Sequence, residues 1–248
     1  MMPNGLRLAL GFLTTLPVSA GEYDAREFSR SARYFPWVGL LLGLLLSAAY
    51  LALDLILPPL LVSVLVTILW AGLTGGLHLD GLADCCDGLL APVPPQRRLE
   101  IMRDPCVGAF GAIGLILFLL LKVAALSAST AVLPALLLAT TWARWLLLLV
   151  ARRPPARTGG MGAGFGAGLT TSIVATALIA PVITGGLAIY WGQDWRALIG
   201  ILVAFLVCLS VLRMARVRLG GVTGDVYGLA VELCEVAILL VYAVQGAW

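Results

Sequence analysis

The 248-residue chain predicts an all-α fold, a polytopic integral membrane bundle of about seven transmembrane helices forming one membrane domain over 1–248. Three observations carry that prediction. The chain is 61% hydrophobic with a mean hydropathy of +1.02. Only 12% of its residues are charged, too few to clothe a soluble surface. Its apolar runs recur at lengths suited to a hydrocarbon layer of ~30 Å and are separated by compact polar blocks.

The first residues, MMPNGLRLALGFLTTLPVSAGEYD, hold one arginine and a short apolar run ending near Pro17. They look like a weak signal peptide. The run is short and no cleavage logic precedes the first span, so 1–36 reads as a retained, amphipathic or re-entrant segment at the cytoplasmic interface. Within it Arg26, Arg30 and Arg33 fall at i, i+4, i+7, so a short helix there presents a basic face, suited among other things to anionic lipid.

Spans are expected over about 37–57, stopped by Pro58-Pro59, and about 60–73, a run short for the bilayer that leads straight into TGGLHLDGLADCCDG (74–88). The stretch 91–105 reads as a Pro-rich loop and a short amphipathic helix ending at Asp104-Pro105. Further spans follow over about 107–128, 134–150, 171–190, 197–212 and 226–244. Between the fourth and fifth lies ARRPPARTGGMGAGFGAG, basic and then glycine-rich. It matches no strand–loop–helix phosphate fingerprint and reads as a flexible loop.

Charge orients this arrangement. With the N-terminus in the cytoplasm, the inner segments hold Arg7, Arg26, Arg30, Arg33, Arg97, Arg98, Arg103, Arg152, Arg153, Arg157, Arg213, Arg216 and Arg218, 13 of the 16 basic residues. Lys122 and Arg144 fall within spans, and only Arg196 falls in an outer loop. The positive-inside rule then places every polar block on the cytoplasmic face. A net charge of +3 gives no reason to expect nucleic acid. The five cysteines form no CxxC pair and read as reduced thiols.

The chemistry concentrates in 74–88. On a helix Asp80, Asp84 and Asp87 share one face beside His78, the only histidine. Like charges so close need a cation, a proton or arginines to coexist. A solvated acidic helix end is the plainer reading. Three aspartates also supply the oxygen ligands that suit Mg²⁺ or Mn²⁺, which keep several waters and bind substrate phosphates. Asp225, Glu232 and Glu235 form a second acidic set, either metal-holding or paired with Arg144 or Lys122 for packing. His78 is read either as a general base or ligand, or as a hydrogen-bonded structural residue. Acid clusters ringed by arginines at a bilayer interface suit metal-assisted phosphoryl or nucleotidyl transfer.

The runs TGGLHLDGLADCCDG (74–88), RRLEIMRDPCVGAFG (97–111) and GGVTGDVYGLAVELCE (220–235), together with FLTTLPV (12–18) and RSARYFPWVGLLLG (30–43), resemble the cobalamin synthase family, adenosylcobinamide-GDP ribazoletransferase, over nearly the whole chain. The resemblance implies a multi-pass inner-membrane enzyme of vitamin B12 assembly. Such an enzyme joins adenosylcobinamide-GDP to α-ribazole, or its 5′-phosphate, with release of GMP, and requires Mg²⁺. In that setting the ribazole 5′ oxygen attacks the pyrophosphate. Asp80, Asp84 and Asp87 hold metal, Asp225 and Glu232 hold a second metal or orient the acceptor, and Arg33, Arg103 and Arg157 take phosphate oxygens. His78 joins the three aspartates as a catalytic candidate. Homo-oligomer formation or association with other cobalamin-assembly enzymes stays open.

Thr158 and Gly159 follow Arg157 where the family pattern has an acidic residue before glycine. Val226-Tyr227 and Cys85 also depart from it. Two other classes compete. A CDP-alcohol phosphotransferase shares the chemistry, but its signature has an arginine after the alanine and wider acid spacing, both absent from DGLADCCDG. An ion-coupled transporter is disfavoured by the absence of internal repeats and by acids gathered at one face.

Overall fold

The structure, a computed structural model, describes residues 3–18, 24–157, 161–192 and 195–245. Among them all regular structure is helical. The N-terminal segment folds into α1 (Asn4–Leu13) and α2 (Ala25–Ser31), the latter capped by Asp24 Oδ1 accepting from Glu27 N at 2.7 Å. Arg26, Arg30 and Arg33 are all exposed, as their spacing predicts. Phe12, Phe28, Phe35 and Phe165 stack with ring centroids 4.8 to 5.8 Å apart, fastening this segment to the bundle.

Among the described residues six helical stretches are long and apolar enough to cross a bilayer, and a bent pair counted as one span makes seven. The spans are α3 (Phe35–Asp54), the pair formed by α4 (Pro59–Thr74) and α5 (Leu77–Leu90), α7 (Ala109–Ala128), α8 (Val132–Ala151), the pair of α10 (Thr171–Ala177) and α11 (Ile179–Gly192), α12 (Arg196–Leu219) and α13 (Gly224–Ala243). A twenty-residue helix rises ~30 Å, one hydrocarbon thickness. The short α6 (Pro95–Ile101) lies where the amphipathic segment is expected.

The centre is α13, buried on nearly every side, with α8 next to it. This is why α13 reads as apolar all round rather than as a stripe. By contrast α7 and α12 turn Ile113, Ile116, Leu120, Leu202 and Leu206 outward, where lipid replaces a protein neighbour.

Two elements extend beyond what the apolar runs predict. α12 continues past Leu212, where the apolar run ends, to Leu219. Val211, Ala215 and Leu219 extend its buried stripe while Arg213, Arg216 and Arg218 face outward, so the helical period survives the change of solvent. The glycine-rich run is not all loop either. Met161–Ala167 forms α9, held by buried Phe165 and by Ser29 Oγ donating to the Phe165 carbonyl at 3.1 Å.

Candidate active site

α4 ends at Gly75 and Gly76, both in the left-handed region at φ 62° and 69°, and α5 leaves at 93° to α4. Two consecutive residues at positive φ are accessible only to glycine at little strain. α5 therefore runs along the bundle end rather than on along the axis of α4. Its inner side, Gly81, Leu82, Cys85 and Leu89, is buried. Asp80 is exposed and Asp84 and Asp87 are half-buried on the other side.

α5 crosses the first turns of α13 at backbone contact. A Cβ on Gly81 would lie 2.8 Å from the carbonyl oxygen of Asp225, and one on Gly228 would lie 2.9 Å from that of His78. This contact brings Asp225 to the α5 carboxylates although it is more than a hundred residues away in sequence. Thr223 Oγ1 donates to Asp225 Oδ2 at 3.1 Å, and Arg157 faces Asp225 electrostatically. Burial, reinforced by Asp80, Asp225 and Asp87, raises the Asp84 carboxyl to about 7. A carboxylate so placed favours a proton or a cation.

The sequence candidates divide. Asp80, Asp84, Asp225 and Arg157 come together. Asp87 neighbours them, but its two oxygens accept from Gly108 N and Gly111 N, each at 2.8 Å, so it caps α7 from a distance. Glu232 does not join the cluster. It lies seven residues below Asp225 on α13, about 10 Å of helical rise, and accepts from Lys122 Nζ at 2.9 Å. Lys122 also donates to Glu235 at 2.8 Å and sits 3.8 Å above the Trp70 ring, while Arg144 pairs with Glu235. Two positive and two negative side chains thus close a neutral network inside the bundle, and this is what Glu232 serves. His78 is also turned inward. It is buried with Nδ1 lacking a hydrogen-bond partner, and Arg144 and Lys122 are its charged neighbours. It therefore does not face the carboxylates.

Of the remaining arginines, Arg33 donates from Nε to the Arg30 carbonyl at 3.0 Å and Arg103 is exposed. Neither pairs with a carboxylate among the described residues. Sequence reasoning passed over Arg98 and Arg218. Arg98 Nη1 donates to the carbonyls of Gly88 (3.0 Å) and Leu89 (2.5 Å), and Arg218 Nη1 also donates to Leu89, so two guanidiniums cap the C-terminus of α5. The signal for them was Ala91, not a glycine, just past the end of α5, and no basic residue in its last turn, which left its last carbonyls without local partners.

Beside Asp80 a cleft of about 660 Å³ opens, lined by Phe12, Gly75, Gly76, Leu79, Ala83 and Leu115 among others. Among the described residues no three carboxylates, thiols or imidazoles form a coordination sphere as they stand. The oxygen donors of Asp80, Asp84 and Asp225 nevertheless suit a hard cation that keeps waters and takes its remaining ligands from substrate phosphate.

A family model described as Cobalamin-5-phosphate synthase matches residues 5–243. The chain is 40% identical over 245 residues to an adenosylcobinamide-GDP ribazoletransferase of Desulfitobacterium hafniense, covering 95% of this chain and 94% of that protein. It is 41% identical over 245 residues to one of Ectopseudomonas mendocina (96% and 98% covered) and 38% identical over 242 residues to one of Desulforamulus reducens (96% and 95%). No solved structure matches it.

Proposed function

The chain belongs to the cobalamin-5-phosphate synthase family, and from that premise we propose that its carboxylate face joins adenosylcobinamide-GDP to α-ribazole, or its 5′-phosphate, and releases GMP. The activity follows from relatives of that name aligned end to end. One observation supports this location: the backbone contact of α5 with α13, which gathers Asp80, Asp84, Asp225 and Arg157 at one end of the bundle.

A ribose hydroxyl attacks the phosphorus on the cobinamide side, the new P–O bond forms, and the bond to the bridging oxygen breaks so that GMP leaves with the electron pair. The hydroxyl proton passes to a carboxylate of the cluster. The family description, with its 5-phosphate, amends one expectation. A product that keeps a phosphate at the 5′ position cannot have been formed through the 5′ oxygen. The attacking group is then another ribose hydroxyl, common to both acceptors. Arg157, whose Nη1 is buried without a hydrogen-bond partner, is positioned to take a phosphate oxygen.

Mg²⁺ fits Asp80, Asp84 and Asp225, and when bound supplies neutralising charge to the diphosphate. The face is read as cytoplasmic, in an inner membrane, because Arg98, Arg157 and Arg218 all gather there while Arg196 lies at the other end of α12.

The test is GMP release by purified protein in detergent, given adenosylcobinamide-GDP and α-ribazole with Mg²⁺ or with chelator. Metal-dependent GMP and cobalamin formation is expected. A folded protein that makes neither refutes the activity, and turnover undiminished by chelator refutes the metal alone.

A further inference from the structure

A second cleft, of about 940 Å³, lies between the C-terminal ends of α8 and α12. Arg153 and Pro154 form one wall. Leu209, Leu212, Arg213, Arg216 and Val217 of α12 form the other, and the turn Gly220–Val222 closes the end. Arg153, Arg213 and Arg216 are exposed, and no carboxylate pairs with any of their guanidiniums among the described residues. The same wall exposes apolar surface, with Leu209 at 43% and Val217 at 71%.

The cleft therefore has two zones. Leu209 belongs to the outward face of α12, in the register of Leu202 and Leu206, which face hydrocarbon, with Leu212 half-buried beside it. One to two turns later come Arg213 and Arg216, where the helix leaves the apolar layer. Three guanidiniums above an apolar wall at a span's end match an anionic lipid, with its phosphate at the boundary and its chains below. A soluble nucleotide or diphosphate would have no use for the outward-facing leucines. Completion of the helix dipole is the plainer role for arginines near a C-terminus. On α12, however, Arg218 turns to the Leu89 carbonyl, whereas Arg213 and Arg216 line the cleft.

We propose that this cleft binds an anionic phospholipid of the leaflet on the carboxylate side, and that the lipid braces the active site. The two walls of the cleft are already tied to each other through the backbone. Ala156 N donates to the Val222 carbonyl at 2.9 Å and Val222 N to the Pro154 carbonyl at 3.0 Å. These bonds join the two cleft-lining segments immediately before Arg157 on one strand of chain and Thr223 and Asp225 on the other. Gly221 is pressed between them, since a Cβ there would meet Ala156 N and the Pro154 carbonyl oxygen, each at 2.6 Å. A headgroup held by Arg153 on one side and by Arg213 and Arg216 on the other spans the same junction. The binding claim stands apart from the reaction proposed above.

The experiment uses delipidated full-length protein in detergent. Native mass spectrometry and thermal unfolding are read with dioleoyl-phosphatidylglycerol, dioleoyl-phosphatidylcholine, water-soluble glycerophosphoglycerol and inorganic phosphate. Phosphatidylglycerol is expected to be retained over phosphatidylcholine and to raise the melting temperature, while the two soluble phosphates do neither. Arg213→Gln/Arg216→Gln should weaken the anionic preference roughly thirtyfold, taking about 1 kcal/mol per basic residue at an anionic headgroup. Arg213→Lys/Arg216→Lys should keep most of it. Arg97→Gln, on exposed α6, should keep all of it, and Arg153→Gln offers a second test from the opposite wall. The proposal is overturned if both glutamine variants retain phosphatidylglycerol as the parent does. It is equally overturned if inorganic phosphate or glycerophosphoglycerol stabilises as well as the lipid, which would make the cleft a site for a soluble anion.

Discussion

Adding one methyl group at Gly81 isolates the contact on which the carboxylate cluster depends. A Cβ there would lie 2.8 Å from the Asp225 carbonyl oxygen, 3.0 Å from its Cα and 3.3 Å from its carbonyl carbon. Carbon–oxygen and carbon–carbon contacts settle near ~3.3 Å and ~3.5–4.0 Å. Every atom in the way is backbone, so no side chain can rotate aside. Gly81→Ala therefore moves α5 off α13 by roughly 0.5–1 Å. The stability effect is small, because overpacking costs about 1–3 kcal/mol and alanine returns roughly 0.5–1 kcal/mol of helix propensity. The catalytic effect is larger, since a misplacement of ~1 Å can lower a rate by about 10²-fold. The assay is GMP release beside the melting temperature, with Gly72→Ala as control. A methyl group at Gly72 would meet nothing within 4 Å, so alanine there should be neutral or slightly stabilising. A Gly81→Ala enzyme with more than about half the parent rate would refute the claim that this contact sets the site geometry.

Three further outcomes follow from other parts of the structure. Asp84 carries a carboxyl raised to about 7, so in the metal-free protein its ionisation destabilises the fold progressively as pH climbs from its unfolded value toward and through 7. The melting-temperature gain on adding Mg²⁺ should thus grow between about pH 6 and 8, and Asp84→Asn should abolish both that growth and turnover. An equal gain at both pH values would contradict it. Lys122→Met strands Glu232 without its cation and should destabilise by about 3 kcal/mol, whereas Lys122→Met/Glu232→Gln should recover most of the loss in SDS-titration unfolding. Additive losses would speak against a coupled network. Arg196 donates to Thr130 Oγ1 at 2.5 Å, at the end of α12 away from the carboxylates. Arg196→Ala should keep its rate within about twofold, and an inactive, folded variant would contradict the location of the site.

The spans were legible because each is set by a local quantity, the length of an apolar run between polar blocks. The misreadings arose where a long-range contact overrode the local signal. TGGMGAGFGAG looks like loop by composition, but Phe165 stacks against Phe28 and Phe35 near the N-terminus and a helix forms around it. The three α5 aspartates were legible as one face, and Asp225 as acidic company. The different fates of Asp87 and Glu232 were not, because spacing on one helix says nothing about which neighbour arrives. Asp87 meets the amides that open α7, and Glu232 meets Lys122. His78 reads as part of the acidic motif, yet its place at the junction with Gly228 turns it toward the bundle interior.

The buried network and the exposed cluster are linked by the register of α13. Sliding α13 by one turn, ~5.4 Å, would carry one of Glu232 and Glu235 away from its cations, and would carry Asp225 away from Gly81 in the same movement. Unpaired charge inside a membrane bundle is expensive, so the network resists such slippage more strongly than leucine packing alone. α5 is meanwhile held by groups outside the cluster: Asp87 on α7, Arg98 and Arg218 at its C-terminus, and the glycine pair at its start. Asp80, Asp84 and Asp225 are thus kept together by interactions they do not themselves make. Their mutual repulsion is left unrelieved by any carboxylate–arginine salt bridge of their own among the described residues. A scaffold that holds three acids against their repulsion has in effect prepared the place for a cation and the phosphates that accompany it.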